Sequence, residues 1–485
     1  MKRASGVLMP VFSLAGDYSI GSFGKEALHW IDFLSECGFS YWQVLPFGVT
    51  DSYHSPYQSY SAFGGNPFYV DLETLCQQGL LTSAQLLGAK QNSPYICEYN
   101  RLEQERMNLL AEACKKATNR AEIEAFIGEN PYLEEFCRFM ALREQNNNAC
   151  FMDWTVLEPN PEKVFLWQFI QFHFTKQWQK VLEYAHSKGI SIIGDLPIYV
   201  SFDSCDVWCH KEQFMLDEKG YPTHVAGCPP DYFAEEGQLW GNPLYNWDAM
   251  KKDGFSWWKD RLAHQFTLFD GVRLDHFRGF EAFWAVPASE KTAVGGSWVK
   301  GPGTQFVNAM KQVAGDKLLI AEDLGDITRE VIDLLEESEL PGMRVFQFAF
   351  LGGDNPHLPH NYIQNCVAYS GTHDNNTLLG YLWELPDHTR KQMLEYCGFQ
   401  GNDWGTGWRD VMRTMMASTA NLVIVPGQDL LGYGKDTRVN TPGVAVDNWQ
   451  VRFTEEQIAT INKDWLKSLH RMYYRKCEKP LPNQK

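Results

Sequence analysis

Three acidic side chains stand at the far ends of three apolar runs: Asp275 in FDGVRLDHFRGF, Glu322 in KLLIAEDLG and Asp374 in CVAYSGTHDNNT. Each run has the length of a buried strand, and each gives way to a polar turn. Carboxylates delivered by several strand ends to one rim are the layout of a parallel β/α barrel enzyme. Two carboxyl groups in one pocket are the equipment for breaking a glycosidic bond. Asp275 lies two residues after Arg273, so both side chains leave the strand on the same side. A guanidinium there favours the ionised carboxylate and suits it to nucleophilic attack. Taken alone, the pair reads equally well as a rim salt bridge. Glu322 follows LLIA, where partial desolvation raises a carboxyl pKa and suits it to donate a proton. Its plain alternative is a charge at a helix N-terminus. Asp323 faces the other way and is expected as an N-cap or structural acceptor. Asp374 shares a tight turn with His373, where bonding to ligand hydroxyls is a more economical use than metal ligation. Asp195, in IIGDLPIYV, is a fourth rim acid whose plain use is to cap the turn before Pro197.

The elements that must position these acids recur along the chain. Apolar, near-continuous runs predict strands at 6–14, 41–47, 190–200, 271–277, 317–325, 343–350, 366–374 and 421–429, as expected where both faces of a sheet are covered. Amphipathic stretches at 24–37, 163–188, 255–268, 304–314, 327–338, 376–396, 408–420 and 454–476 predict the helices. Eight strands alternating with eight helices make a barrel signature stronger than any one segment. The four acids end the third, fourth, fifth and seventh strands, so they converge on one face. The fold expected is a (β/α)8 TIM barrel filling 1–485. Two gaps exceed ordinary connections. Residues 48–162, after the second strand, mix aromatic-rich loop with polar helices. Residues 201–254, after the third, are rich in Gly, Pro and aromatics. Both are expected as insertions on the catalytic face, and the tail from Arg475 onward as frayed.

The totals narrow the function. A net charge of −17 argues against nucleic acid or an anionic membrane surface as the partner. No apolar run is long enough for a membrane span, and the N-terminus lacks the pattern of a secretory signal. The 12 Cys are scattered, which fits a reducing cytoplasm better than a disulfide grid. Cys205, Cys209 and His210 raise the question of zinc, but no second CxxC or HxxxH pair completes four ligands, and no metal site is expected. Aromatics reach 14% of the chain, with 17 Trp. Most belong to the core, yet clusters such as YFAEEGQLWGNPLYNW lie in sequence that is hard to bury. Exposed aromatic faces stack well on the C–H faces of sugar rings.

Long motifs carry a family resemblance over nearly the whole chain: HSPYQSYSAFGGNP (54–67), GDLPIYV (194–200), PPDYFAEEGQLWGNPLYNW (229–247), VRLDHFRGFEAFW (272–284), AEDLG (321–325), GTHDNNT (371–377), NTPG (440–443) and DNWQVR (447–452). The chain resembles the 4-α-glucanotransferases, the amylomaltase or disproportionating-enzyme family of the α-amylase-like barrels, and the resemblance implies an eight-stranded barrel with insertions and no C-terminal β-sandwich. The resemblance implies Asp275 as nucleophile, Glu322 as general acid/base and Asp374 as the acid that stabilises the transition state. It implies Tyr57, Asp195, Arg273 and His373 around the glucose next to the scissile bond, and His276 and Trp240 on the other side. Segment 229–243 corresponds to a loop arching over the groove, with Tyr232 and Phe233 near its tip. Two departures stand out. Val451 occupies the place of a second aromatic, and insertion 48–162 matches no member closely.

The implied reaction is retaining double displacement. An α-1,4-glucan donates a segment to the 4-hydroxyl of a glucose or maltooligosaccharide acceptor, with no cofactor or metal and neither nucleic acid nor membrane involved. Three rivals differ in class: an α-1,4-glucan hydrolase, a glycan-binding protein on an inactive barrel, and a metal-dependent hydrolase built on Asp195, His276, His373 and Asp374.

Overall fold

The computed structural model of the chain describes residues 1–230 and 235–475. Eight parallel strands close into a barrel: β1 (Ala4–Leu8), β2 (Tyr41–Gln43), β3 (Ser191–Leu196), β6 (Gly271–Leu274), β9 (Leu318–Ala321), β10 (Gly342–Val345), β11 (Cys366–Tyr369) and β12 (Leu422–Pro426). Each pairs with its neighbours in chain order, and β12 returns to β1 with Val425 opposite Val7. Six of the eight lie within the apolar runs read from the sequence, while β1 starts two residues before its run of 6–14 and β10 one residue before its run of 343–350. They are shorter because the last residues of each run leave the ladder to form the rim. Burial on both faces explains the lack of polar alternation in GVRL, LLIA and CVAY.

Helices follow the strands as expected, with local breaks. Predicted helix 376–396 divides into Leu378–Glu384 and Asp387–Tyr396, because Pro386 has no N–H to continue the ladder. The last one divides into Glu455–Ala459 and Lys463–Met472, and Asn462 caps the second by accepting the Trp465 N–H at 3.0 Å. The tail expected to fray is anchored at its first residue. Arg475 is fully buried and donates to the carbonyls of Met416, Ala4 and Ser418. Residues 476–485 lie outside the described residues.

The long helix Pro161–Ser187 crosses behind the early strands. Its N-cap Asn160 accepts from the N–H groups of Glu162 and Lys163, and Pro161 takes the first-turn position that needs no donor. Two buried glutamines on it pair with the backbone of the segment after β2. Gln171 accepts the Gly65 N–H at 2.7 Å and donates to the Gly65 carbonyl at 2.9 Å; Gln177 does the same at Asp71, at 2.7 and 3.2 Å. A chain buried between helix and barrel would otherwise leave those backbone groups without partners.

A second sheet was not foreseen. Four antiparallel strands in the order β5-β4-β7-β8 comprise β4 (His224–Cys228), β5 (Gln238–Pro243), β7 (Ala282–Pro287) and β8 (Ser297–Lys300). From Gln238 onward, the stretch expected as an arching loop is therefore a strand. Its signal was hidden by glycines the pairing requires: at Gly227 a Cβ would lie 2.5 Å from the Gln238 carbonyl oxygen. Val451 is buried and bridges Ile96 of the 48–162 segment, so it is a packing position.

Gly194 illustrates how tightly β3 is fitted beside Asp195. A Cβ there would sit 2.1 Å from the Phe269 ring. Gly194→Ala is expected to destabilise the protein by about 1–3 kcal/mol through overpacking, read as a lower urea midpoint. An unchanged midpoint would show that Phe269 moves aside freely.

Candidate active site

The rim of β3, β6 and β9 is built by continuing the strand ladder past its last pair. Leu274 is opposite Ala321 in the register, and the Glu322 N–H donates to the Leu274 carbonyl at 3.0 Å. Asp275 and Glu322 are thus the next pair on neighbouring strands. The strand spacing places their backbones about 4.8 Å apart, and in-register residues of a parallel pair point to the same side. Neighbouring strands at this spacing can present two carboxyl groups at the separation retaining glycosidases use, about 5–5.5 Å.

His276 then turns sharply. Its φ of 50° and ψ of 52° are left-handed, and the turn aims its backbone N–H at Glu322 Oε2, 2.7 Å away. The Leu324 N–H holds Oε1 at 3.0 Å. Non-glycine residues rarely adopt this conformation, and here it is what brings the N–H to the Glu322 carboxylate. The His276 ring stands nearly perpendicular to that of Trp240 on β5, with centroids 4.9 Å apart. Burial, with Arg278 nearby, depresses His276 to about 4, so it is neutral at physiological pH.

On the opposite side lies one connected network. Arg273 Nη1 is 2.7 and 2.8 Å from the two oxygens of Asp195 and 3.0 Å from Asp275 Oδ1. Tyr57 donates its hydroxyl to Asp195 Oδ2 at 2.7 Å. The Tyr57 ring stacks on His373 with centroids 5.0 Å apart, and Trp449 leans on both at 5.8 Å. His373 Nε2 is 3.2 Å from Asp374 Oδ2. Asp195 therefore serves an ion pair and a tyrosine hydroxyl, and not the turn before Pro197. Asp323 accepts from the Met343 N–H at 2.5 Å and from Arg344 at 2.9 Å; it is a structural acceptor but not an N-cap. The turn bearing His373 and Asp374 is fastened by buried Asp429, which accepts from the Leu378 N–H and from the Ser370 hydroxyl, both at 2.7 Å.

The structure brings together nine of the eleven residues singled out from the sequence: Tyr57, Asp195, Trp240, Arg273, Asp275, His276, Glu322, His373 and Asp374. Tyr232 and Phe233 lie outside the described residues. Sequence reasoning missed three contributors from the late loop. Asn440 donates to Asp374 Oδ1 at 2.6 Å, Arg438 donates to the Asp374 carbonyl at 2.5 Å, and Trp449 covers Tyr57 and His373. The NTPG and DNWQVR motifs contained Asn440 and Trp449, but nothing local tells which strand end a distant loop will reach.

The electrostatics separate the acids. Burial raises Glu322 to about 8; Arg273 and the His276 N–H oppose the rise, and the Asp275 charge adds to it. Asp275 is raised to about 6, because burial and the charges of Asp195 and Asp374 outweigh the pull of Arg273 and His373. The guanidinium thus limits the rise and does not hold Asp275 in the ordinary carboxylate range. Burial alone would raise Asp374, but His373 and Asn440 reverse the effect and bring it to about 2. Near neutral pH the site holds one protonated carboxyl beside an ionised one, the acid and nucleophile states of a retaining pair.

The chain is similar to known proteins over nearly its whole length. The family model described as 4-alpha-glucanotransferase matches residues 9–458. The chain belongs to the 4-alpha-glucanotransferase family. The 4-alpha-glucanotransferase of Streptococcus pneumoniae is 41% identical over 98% of each chain, and that of Thermus thermophilus is 42% identical over 95% of this chain and 96% of its own. The solved amylomaltase of Streptococcus agalactiae, in complex with acarbose, superposes with a TM-score of 0.93 at 36% identity, covering 98% of this chain and all of that one. As a 4-alpha-glucanotransferase the chain is a transferase acting on α-glucans, and the hydrolase and inactive-barrel readings are not favoured. No helix among the described residues is long and apolar enough to cross a membrane.

Glu322 carries a stability signature. Its folded pKa of about 8 exceeds the ordinary 4.5, so between those values the folded state holds a proton that the unfolded state has released. Stability therefore falls as pH rises through this window, and the loss is complete above pH 8. Glu322→Gln is expected to remove that slope. Relative to the parent, its melting temperature should climb between pH 5 and pH 8.5; parallel curves would contradict the assignment.

Proposed function

We propose that Asp275 is the nucleophile, Glu322 the general acid/base and Asp374 the transition-state stabiliser of a retaining glucan transfer. The observation that carries this reading is the adjacency of Asp275 and Glu322 on paired strands, with pKa values displaced to about 6 and about 8. Glu322 protonates the glycosidic oxygen while Asp275 attacks the anomeric carbon. The bond to the leaving 4-oxygen breaks and a β-linked glycosyl-enzyme forms. Glu322, now ionised, takes the proton of an incoming sugar 4-hydroxyl, whose oxygen displaces Asp275 and restores the α-configuration. Asp374 and His373 bind the 2- and 3-hydroxyls of the reacting glucose, with bonds that tighten as the ring flattens, which is preferential binding of the transition state.

Tyr57, Asp195 and Arg273 seat the glucose on the donor side. His276 and Trp240 receive the acceptor. An acceptor held on Trp240 attains a high effective concentration and displaces water, which favours transfer over hydrolysis. The donor is an α-1,4-glucan and the acceptor a glucose or maltooligosaccharide. The eleven free cysteines among the described residues support a reducing cytoplasm as its setting.

Maltotriose tests the reaction and its assignments together. The protein is expected to yield glucose plus a ladder of longer maltooligosaccharides. Asp275→Asn should lower turnover by at least about 10⁴-fold, the scale of losing a covalent nucleophile, while still binding maltotriose. Only shortened products from the parent, or substantial transfer by the variant, would refute the scheme. The pH dependence of kcat/KM supplies a second check. It is expected to rise as Asp275 ionises near pH 6 and fall as Glu322 ionises near pH 8. A profile flat from pH 5 to pH 9 would contradict this pairing.

A further inference from the structure

Away from the rim, the first turn after β3 meets a helix of the 48–162 segment. The short helix Cys205–Cys209 packs beside the helix Pro131–Gln145. Cys205 and Cys209 are four residues apart, so their side chains share one helix face, and their sulfurs are 4.0 Å apart. That face is turned to Glu135. A carboxylate oxygen of Glu135 and the two sulfurs all lie within 4.8 Å of one another, and among the described residues no other three His, Cys, Asp or Glu side chains converge so closely. His210, the next residue in the chain, places Nε2 3.1 Å from Glu135 Oε2.

We propose that Glu135, Cys205 and Cys209 form a binding site for a thiophilic divalent cation, with Zn²⁺ the ion it fits best. Tetrahedral zinc with Zn–S bonds of about 2.3 Å separates two thiolate sulfurs by about 3.8 Å. The sulfurs here stand within a few tenths of an ångström of that bite and about twice a disulfide bond apart. Two thiolates and one carboxylate leave the fourth position to water, and thiolates select zinc over magnesium or calcium. His210 bonds the carboxylate, the arrangement in which an outer partner orients a ligand. Binding displaces the two thiol protons to solvent, and the ion replaces them. Cys205 is buried, while Cys209, His210 and Glu135 are partly exposed, so the ion has a path from water.

The site fastens two segments that sequence leaves far apart. Behind it lies the segment carrying Tyr57: the Cys205 N–H donates to the Tyr60 carbonyl at 2.9 Å, and Asp206 accepts the Ala62 N–H at 2.8 Å. The bound ion would cross-link the helix Pro131–Gln145 to this wall of the cleft. The role is structural, since none of its ligands reaches the reacting acids. Spacing alone argued against a metal because the third ligand is supplied some 70 residues upstream, where nothing in the local sequence marks Glu135.

Full-length protein, reduced with a phosphine and stripped with chelator, is tested with Zn²⁺ and with Co²⁺ as a spectroscopic substitute. One zinc per chain should survive gel filtration, Co²⁺ should give a near-ultraviolet thiolate charge-transfer band, and zinc should raise the melting temperature by several degrees. Cys209→Ser should weaken binding more than tenfold and remove most of the band. His210→Ala should weaken it about tenfold, as for other outer partners. Cys209 is partly exposed, so its variant is expected to fold even if Cys205→Ser does not. No zinc above background in the reduced protein, or undiminished binding in Cys209→Ser, would overturn the proposal.

Discussion

Arg273 lies between Asp195 and Asp275 with almost no access to water, its Nη1 within 3.0 Å of both. Three charges in that space are tolerated only because each answers another. Removing the guanidinium would strand two carboxylates in a buried pocket, a far larger penalty than losing an exposed ion pair. The rest of the site is arranged around this constraint. Tyr57 satisfies the remaining capacity of Asp195, and the polar rim keeps Asp275 from rising further. Glu322 sits one strand away, where the same burial acts with less compensation and keeps its proton on.

The division of labour between the two acids therefore comes from position rather than residue type. Both end apolar strands, and both are lifted by burial. Asp275 has a guanidinium at 3.0 Å, whereas the closest donors to Glu322 are two backbone N–H groups. Parallel pairing limits how far apart they stand, because the two residues follow the last pair of one ladder and face each other across it. The left-handed turn at His276 is what lets the chain leave β6 while its N–H still reaches Glu322. Local strain there serves the geometry of the two acids.

The barrel was legible because its strands are buried on both faces. GVRL, LLIA and CVAY have no polar alternation to confuse with a surface strand, and each ends abruptly in an acid or a polar turn. The second sheet was not legible. Every residue of β8 is exposed and β4 and β5 carry glycines at their crossing, so neither apolar continuity nor alternation survives. At the site, the acids could be read from their strand ends, but their sustaining partners could not. Asn440 reaches Asp374 across 66 positions of chain, and Glu135 meets Cys205 across 70. Such pairings are decided by how loops and helices pack, information that no local window contains. The net position of Asp275 also escaped, since the pull of Arg273 was visible in the spacing and the opposing burial was not.

The two glutamines of the long helix have an evolutionary corollary. Gln171 and Gln177 read main-chain atoms at Gly65 and Asp71, so they place no demand on which side chains the intervening segment displays. The residues between those two anchor points are buried, so the glutamines fix the path of the main chain while packing fixes the side chains. Recombination is another matter. A crossover between residues 71 and 161 would unite a helix from one parent with a segment from another, and any mismatch in their spacing would leave four main-chain bonds unmade inside the protein. Successful chimeras should therefore inherit both pieces from a single ancestor.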